Sequence, residues 1–306
     1  MCRVVAYLGE PVPLDVLLYR SDSSLVRQVY GPRAMPYLNL AGCGFASWDM
    51  ASPSPENPLL YKDTVLPMFD RNLGALAPKL RGTCVLAHIR GTDYFGSSDP
   101  VVSRGNLHPF RFEGARVVLA HNGGLARFAE MKFDLLEHIK PALAALIEGT
   151  TDSEWIYALL LSRLADPMQP AGVEELATAV EEALTILRQV RDRRGIDTAS
   201  GTNLFVSDGR HFVATRFTFD YGWYTGRPSE SHLRYHSLWY TAGRDYGLHD
   251  DEWRMAGGLE DANSILIASE PLTADVSTWI EVPEYTLLTA TREGGRIHVG
   301  TRDLDL

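Results

Sequence analysis

The sequence predicts an α+β protein in which helices pack on stacked β-sheets. Short apolar segments bounded by turn residues, typical of strands, occupy about the first 125 residues and return in the final third. Between these two parts, apolar residues recur at helical spacing. The chain has 306 residues, of which 45% are hydrophobic and 22% charged, so it is long enough to bury a core without disulfides.

In the first part, turn residues follow the first and the last of the four predicted strands. The first strand starts at the beginning of the chain and is bounded by Gly9 and Pro11. The last is followed by Asn122-Gly123-Gly124, which favours a turn. A proline-rich stretch, 52–58, is predicted to be a surface loop. The strands predicted here are 2–8, 42–48, 83–89 and 116–121.

The middle of the chain is predicted to be helical, and strands follow it. Thr151 is a suitable N-cap, and Glu154 three residues later completes a capping box. The aromatic-rich stretch 221–246 is predicted to cover the fold as a loop, with aromatic rings that either line a pocket or pack in the core. The predicted helices are 133–147, 152–164 and 174–190, and the predicted strands are 202–206, 211–217, 264–268, 285–290 and 296–301.

Charge and cysteine content exclude several classes of partner. The net charge is -10, and the one basic run, 188–194, is interrupted by Asp192 and is predicted to be a solvated helix face. We therefore expect neither nucleic acid nor an anionic membrane as a partner. No stretch approaches the ~20 apolar residues of a membrane span, and Pro11 and Glu10 interrupt any signal peptide. Three cysteines, an odd number, suit a reducing compartment, so we expect a cytoplasmic protein.

Cys2 directly follows the initiator methionine. Cysteine is small enough for Met1 to be removed, which would place a free α-amine beside the thiol of the same residue. Such an amine is partly neutral near pH 7 and can act as a base, while the thiol is a strong nucleophile. The alternative is a buried cysteine at the start of a strand.

Three further positions carry groups that suit one reaction. Arg90, at the end of an apolar strand, can hold a carboxylate or form a surface ion pair. The Asn122 side chain and the Gly123 amide can form an oxyanion hole or a simple turn. Asp152 can hold an ammonium group or belong only to a helix cap. Together with Cys2 they supply what is needed to grip the amino-acid end of a γ-glutamyl group and cleave its amide.

As a set, these motifs resemble the class II glutamine amidotransferases, which are N-terminal-nucleophile hydrolases. The similarity also includes a later segment, Ala268-Ser269-Glu270-Pro271-Leu272-Thr273, typical of the stand-alone γ-glutamyl hydrolases of ergothioneine biosynthesis and glutathione degradation. The motifs follow the family's order from residue 2 to about 290: Met1-Cys2-Arg3, Ala87-His88-Ile89-Arg90-Gly91-Thr92, Asn106-Leu107-His108-Pro109-Phe110, His121-Asn122-Gly123 and Thr151-Asp152-Ser153-Glu154.

The resemblance implies a four-layer αββα sandwich formed by a single domain over residues 2–306. It also implies a role for each site residue: Cys2 as nucleophile with its α-amine as base, Asn122 and Gly123 as the oxyanion hole, Arg90 and Thr92 for the substrate carboxylate, Asp152 for its ammonium group, and His108 as a structural residue. Where many relatives carry Asp-Gly-Trp-Gly, this chain has Ala41-Gly42-Cys43-Gly44. That departure could place Cys43 near Cys2, although a buried spectator is the expected role.

The resemblance implies no cofactor, and the nine histidines show no metal-ligand spacing. The expected activity is hydrolysis of a small-molecule γ-glutamyl amide through a γ-glutamyl thioester. Two alternatives remain: a glutaminase subunit that delivers ammonia to a separate synthase protein, and a non-catalytic binding protein on the same fold. The sequence does not name the leaving group.

Overall fold

The computed structural model describes residues 2–33, 38–91, 101–220 and 237–306. The helices within these ranges are α1 (Arg71–Leu76), α2 (Phe128–Leu135), α3 (Pro141–Ala144), α4 (Asp152–Arg163) and α5 (Val173–Arg193). The strands are β1 (Arg3–Pro13), β2 (Cys43–Trp48), β3 (Leu59–Asp63), β4 (Arg81–Ile89), β5 (Val118–Gly123), β6 (Ser200–Ser207), β7 (His211–Arg216), β8 (Thr218–Phe219), β9 (Trp239–Gly243), β10 (Asp245–His249), β11 (Glu252–Ala256), β12 (Ser264–Ala268), β13 (Ile280–Glu281), β14 (Thr286–Glu293) and β15 (Arg296–Asp303).

Two antiparallel sheets form the centre of the molecule. Within the described ranges, the first sheet has the strand order β13-β9-β12-β1-β4-β2-β3, and the second has the order β15-β14-β7-β6-β5. The N-terminal strand β1 lies in the middle of the first sheet, between β4 and β12, with Val5 opposite Ala87 on one side and Ala268 on the other. The start of the chain is therefore held from both sides.

Side-chain alternation along these strands creates the layers. Val4, Ala6 and Leu8 of β1 point between the sheets, where they pack with Val118 and Phe205 of the second sheet. Helices α4 and α5 cover the outer face of the second sheet through residues such as Leu160 and Leu184. The outer face of the first sheet is covered by α1, a π-helical segment Val16–Arg20 and a 3-10 turn Arg27–Val29. The predicted four-layer sandwich is confirmed, with short helical segments as its fourth layer.

Most predicted strands are confirmed, and the hairpin at 207–210 joins β6 to β7 as expected. The first strand is longer than predicted, because β1 continues past Gly9 and Pro11 to Pro13 through an irregularity in its pairing with β4. The prediction that 133–147 forms one helix is wrong: α2 ends at Leu135 and α3 begins at Pro141. Proline lacks an amide hydrogen and disfavours helix at the preceding residue, so the helix breaks there.

The aromatic-rich stretch is the second correction. Residues 221–236 lie outside the described residues, but Trp239 and Tyr240 are in β9, which pairs with β12 and extends the first sheet. The expected covering loop is therefore wrong for its last part. The predicted pocket role of Trp223, Tyr224 and His236 falls on residues outside the described ranges.

Arg191 corrects the interpretation of the basic run. The side chain is completely buried, and its Nη2 donates to Asp220 Oδ2 and to the Thr198 carbonyl, each at 2.7 Å. Its Nη1 donates to Ser200 Oγ at 2.7 Å. A buried guanidinium needs such partners, and this one ties α5 to the start of β6. Across the described residues, no helix is long and apolar enough to cross a membrane.

Candidate active site

Alternation places three of the predicted site residues in the space between the sheets. Cys2 lies two residues before Val4, Arg90 four residues after Leu86, and Asn122 two residues after Ala120, and each of these reference residues packs between the sheets. The start of β1 lies beside the end of β4, since Arg3 pairs with Ile89. These residues therefore share one end of the layer between the sheets.

Cys2 is almost buried at this end. Its side chain lies against the segment that follows β4, with Sγ 3.8 Å from the Gly91 carbonyl oxygen. Its own carbonyl oxygen accepts a hydrogen bond from Arg3 Nη1 at 3.0 Å. The thiol thus lies next to the Arg90-Gly91 segment.

Arg90 is fixed by a network that the sequence analysis did not assign. Its Nη1 donates to the Val101 carbonyl at 2.7 Å, and the Asn106 side-chain amide donates to the same carbonyl at 3.1 Å. Asn106 also accepts from the Thr150 amide at 2.8 Å and donates to the Thr150 hydroxyl at 3.0 Å. Asn106 therefore joins the end of β4 to the loop before α4. In the sequence, the position of Asn106 in the Asn-x-His-Pro-Phe motif is the signal that could have identified this role.

Asn122 and Gly123 end strand β5 rather than forming the predicted turn. They pair with Asn203 and Thr202 of β6. A Cβ atom on Gly123 would lie 1.9 Å from the Gly201 carbonyl oxygen, so no other residue fits this close approach without a backbone shift. The next amide, that of Gly124, donates to the same carbonyl at 2.9 Å. The Asn122 side chain is buried at the end of the layer that also holds Cys2.

Asp152 starts helix α4 and holds the loop that follows β5. Its Oδ2 accepts from the Leu125 amide at 2.6 Å, and the Ser153 hydroxyl donates to its Oδ1 at 3.2 Å. Ser153 in turn is hydrogen-bonded to His121 Nδ1 at 2.9 Å. The carboxylate therefore lies beside the Asn122-Gly123 strand end, partly exposed.

The predicted capping box is wrong. Thr151 occupies the N-cap position, but its side chain makes no capping hydrogen bond. The Glu154 carboxylate instead accepts from the amides of Glu148 and Gly149, at 3.1 and 2.6 Å. These two donors lie in the loop before the helix, so Glu154 stabilises that loop rather than the helix end.

Two buried histidines lie behind the site. The rings of His88 and His108 contact each other at an interplanar angle of 41°, with centroids 4.0 Å apart. Burial, together with a smaller effect of the nearby Arg90 charge, lowers the pKa of His88 to about 3. Burial also holds the pKa of His108 well below its usual value. Both rings are therefore neutral near pH 7 and pack as aromatic groups.

Lys62 is a half-buried basic group in this region. Burial lowers the pKa of its ammonium group to about 8, and the Glu154 carboxylate opposes that decrease. The ammonium group lies 5.0 Å from the centre of the Phe110 ring. The face of the Phe110 ring and the Glu154 carboxylate therefore stabilise the positive charge of Lys62 behind the site.

The Ala41-Gly42-Cys43-Gly44 departure does not bring a second thiol to the site. Cys43 packs in the core on the opposite face of the first sheet from Cys2, and burial raises the pKa of its thiol to about 12. Gly42 has φ +101°, and a Cβ on Gly44 would lie 2.3 Å from the His108 carbonyl oxygen, so both glycines are required by the backbone. Cys43 is a buried spectator.

Thr92, the last predicted site residue, lies outside the described residues. Within the ranges that the structure describes, no group of three or more His, Cys, Asp or Glu side chains is placed to hold a metal ion.

Comparison with known proteins identifies the family. Residues 73–304, more than half of the chain, match the class II glutamine amidotransferases. The chain belongs to this family. It is therefore an enzyme of the amidohydrolase class, and the resemblance inferred from its motifs is confirmed.

Two curated relatives are similar over most of their length. The probable glutamine amidotransferase DUG3 of Saccharomyces cerevisiae is 29% identical over 97% of this chain and 84% of its own. The γ-glutamyl-hercynylcysteine sulfoxide hydrolase of Mycolicibacterium smegmatis is 27% identical over 73% of this chain and 91% of its own. Both are distant relatives of this enzyme.

Solved structures support the fold. A glutamine aminotransferase class-II domain protein from Silicibacter pomeroyi has a TM-score of 0.58 at 21% identity, covering 99% of both chains. The glutamine phosphoribosylpyrophosphate amidotransferase of B. subtilis has the same TM-score at 14% identity, with 99% of this chain matched to 49% of that one. At these identities the likeness concerns the sandwich fold alone.

Proposed function

We propose that this enzyme hydrolyses the side-chain amide of a γ-glutamyl compound and uses Cys2, made N-terminal by removal of Met1, as its nucleophile. The observation that carries the proposal is the convergence of Cys2, Arg90 and Asn122 at one end of the layer between the sheets, beside the start of α4. A thiol, a guanidinium and an amide donor are the groups that this reaction needs.

In the proposed mechanism, substrate binding uses both charged ends of the glutamyl group. Arg90 binds the α-carboxylate, for which a planar guanidinium offers two parallel hydrogen bonds. Asp152 binds the α-ammonium group. Asp152 already accepts the Leu125 amide, so the carboxylate that recognises the substrate also fixes the loop after Gly123.

The proposed chemistry then proceeds in two steps. The Cys2 thiolate attacks the δ-carbon of the amide, while the Asn122 side chain and the Gly123 amide stabilise the oxyanion. The tetrahedral intermediate collapses to a γ-glutamyl thioester as the α-ammonium group of Cys2 donates its proton to the leaving amine. The neutral α-amine next takes a proton from water, whose oxygen attacks the thioester, and glutamate and the free thiol are released.

The proposed substrate is a γ-glutamyl conjugate with a leaving group larger than ammonia. Support comes from one of the two curated relatives, which is named as a hydrolase of a γ-glutamyl sulfoxide conjugate. The other is named as a probable glutamine amidotransferase, which keeps glutamine hydrolysis with delivery of ammonia to a separate protein as the second candidate.

A third part of the proposal is that residues 2–306 form one domain. The first strand, β1, pairs with β12 in the first sheet. The last strand, β15, forms an edge of the second sheet, which packs against the first. The two sheets that hold the site therefore take strands from both halves of the chain.

The test is glutamate release by the Met1-processed protein, checked by intact mass, from glutamine, glutathione, a γ-glutamyl sulfoxide conjugate and several γ-glutamyl amines. We expect kcat/KM for one conjugate to exceed that for glutamine. Activity on glutamine alone, stimulated by an added synthase protein, would favour the second candidate. Glutamate release from none of these compounds would contradict the proposal.

A further inference from the structure

The segment that follows β12 holds the start of β1. The Ser269 amide donates to the Val4 carbonyl at 3.0 Å, and the Ser269 hydroxyl accepts from the Val4 amide at 3.0 Å. The Ser237 hydroxyl fixes Ser269 by donating to its carbonyl at 2.8 Å. This segment is the Ala268–Thr273 motif of the sequence analysis, to which the proposed mechanism gives no role. The next residue in it, Glu270, is charged.

Glu270 forms an ion pair with Arg3, the residue after the proposed nucleophile. Arg3 Nε lies 3.4 Å from Glu270 Oε2, and only 3% of each side chain is exposed. Glu270 Oε1 also accepts from the Arg33 amide at 2.6 Å. Buried ion pairs rarely stabilise a fold more than apolar residues of similar size would. A pair at this position therefore calls for a reason other than stability.

Its contact with Cys2 supplies that reason. Arg3 Nη1 donates to the Cys2 carbonyl oxygen at 3.0 Å. The carbonyl oxygen and the nitrogen of one residue are about 3 Å apart, which puts the guanidinium within roughly 6 Å of the atom that becomes the α-amine. At that distance, inside a protein, an unbalanced charge changes the proton affinity of an amine strongly.

Within the ranges that the structure describes, few charged groups lie around Cys2. Burial lowers the pKa of His88 to about 3, so this ring is neutral at the pH of the reaction. The Arg33 guanidinium points to the carbonyls of Thr273 and Ala274 instead. Among the described residues, the charged groups on the elements packed around Cys2 are Arg3 of β1, Arg90 after β4, Asp152 of α4 and Glu270 after β12.

We infer that Arg3 and Glu270 are positioning residues for Cys2: Arg3 fixes the carbonyl of the nucleophilic residue, and Glu270 offsets the Arg3 charge beside the α-amine. The inference rests on the proposed function, because it assigns the α-amine the role of base. Neither side chain contacts the substrate.

The test compares the acid limb of the pH profile of kcat/KM in two variants. In Glu270→Gln the loss of the carboxylate charge disfavours the ammonium form, so the limb moves to lower pH by about one pH unit. In Arg3→Gln the loss of the guanidinium charge favours the ammonium form, so the limb moves to higher pH. The double variant returns towards the wild type. Glu270→Gln is nearly isosteric, so its pH profile alone tests the inference if Arg3→Gln does not fold.

The matched control is Asp208→Asn, which changes another buried carboxylate to an amide at the opposite end of the sandwich. Its profile is expected to match the wild type. A Glu270→Gln profile that does not move, or two single variants that shift in the same direction, would overturn the inference.

A second readout separates failure of the inference from failure of the proposed function. A free N-terminal cysteine condenses with an aldehyde to a thiazolidine, and this reaction needs the neutral amine. If no γ-glutamyl amide is hydrolysed, the proposed function fails, and the pH dependence of thiazolidine formation in the same variants still tests the inference. Identical dependence in wild type and Glu270→Gln would contradict it.

Discussion

Cys2 and Cys84 lie in the same layer between the sheets but at opposite ends of it. Cys84 is completely buried near the start of β4, where its Sγ lies 3.3 Å from Ser207 Oγ and Trp48 and Leu8 fill the surrounding space. Burial raises the pKa of the Cys84 thiol. At the other end, Cys2 lies beside the Gly91 carbonyl, near Arg90. The polarity of the neighbouring residues, rather than the layer that holds them, distinguishes the two thiols.

The largest expected effect comes from exchanging the two cysteines for alanine. Cys2→Ala removes the proposed nucleophile and should lower kcat/KM at least about 10³-fold, as loss of a nucleophile does in other hydrolases. Cys84→Ala should keep activity within a few-fold and lower the free energy of unfolding by about 1–2 kcal/mol. Glutamate release and urea unfolding measure the two outcomes. Turnover by Cys2→Ala near the wild-type rate would contradict the proposed mechanism.

The second-largest expected effect is on kcat and concerns only the end of the layer that holds Cys2. Asn122→Ala removes the proposed oxyanion donor and should lower kcat by roughly 10²–10³-fold with little change in KM. The control is Asn57→Ala, an exposed asparagine whose side chain accepts from Arg111. Steady-state kinetics on the preferred substrate compare the two. If both variants keep wild-type kcat, Asn122 has no part in the oxyanion hole.

The third prediction compares the thiols directly. In the folded protein at pH 8, iodoacetamide should modify Cys2 at least about 100-fold faster than Cys43 or Cys84, because burial raises the pKa of both other thiols. Mass mapping of peptides against time gives the rates, and unfolding in urea should equalise them. Equal rates of modification in the folded state would contradict the expected difference in reactivity between Cys2 and the other two thiols.

The smallest effect is a pH dependence of stability. The unfolded chain binds a proton at His88 below about pH 6.5, whereas the folded protein does not until about pH 3. The unfolded state therefore binds more protons in this window, and stability falls as the pH falls, by about 1.4 kcal/mol per pH unit for each such histidine. Urea unfolding at pH 7, 6 and 5 should show a flatter slope in His88→Gln. An unchanged slope would show that His88 is protonated in the folded protein.

Local patterns predicted much of the fold. Strands such as β4 and β12 carry their signal in consecutive apolar residues, so their positions follow from the sequence. The hydrogen-bond and ion-pair partners of polar side chains do not follow from local sequence patterns. Arg191 was assigned to solvent because its neighbours on the helix are charged, but Asp220, 29 residues further on, pairs with it in the interior. Glu154 likewise bonds the loop before α4 rather than the helix cap.

The site residues were nominated from motifs, and their convergence depends on strand pairing that no local pattern contains. Arg3 shows the limit most clearly. Arg3 is next to Cys2 in the sequence, but its partner Glu270 follows a strand near the other end of the chain. No local pattern around Arg3 predicts this ion pair.

The pairing of Val5 with Ala268 also has a consequence for biosynthesis. The first strand to leave the ribosome gains one of its two neighbours only after about 260 more residues have been made, which takes on the order of 13–50 s at 5–20 residues per second. During that interval the nascent N-terminus is not enclosed by its sheet. In the proposed maturation an aminopeptidase removes Met1 within this interval, before β12 pairs with β1, so the order of synthesis gives that reaction a period of access to the start of the chain.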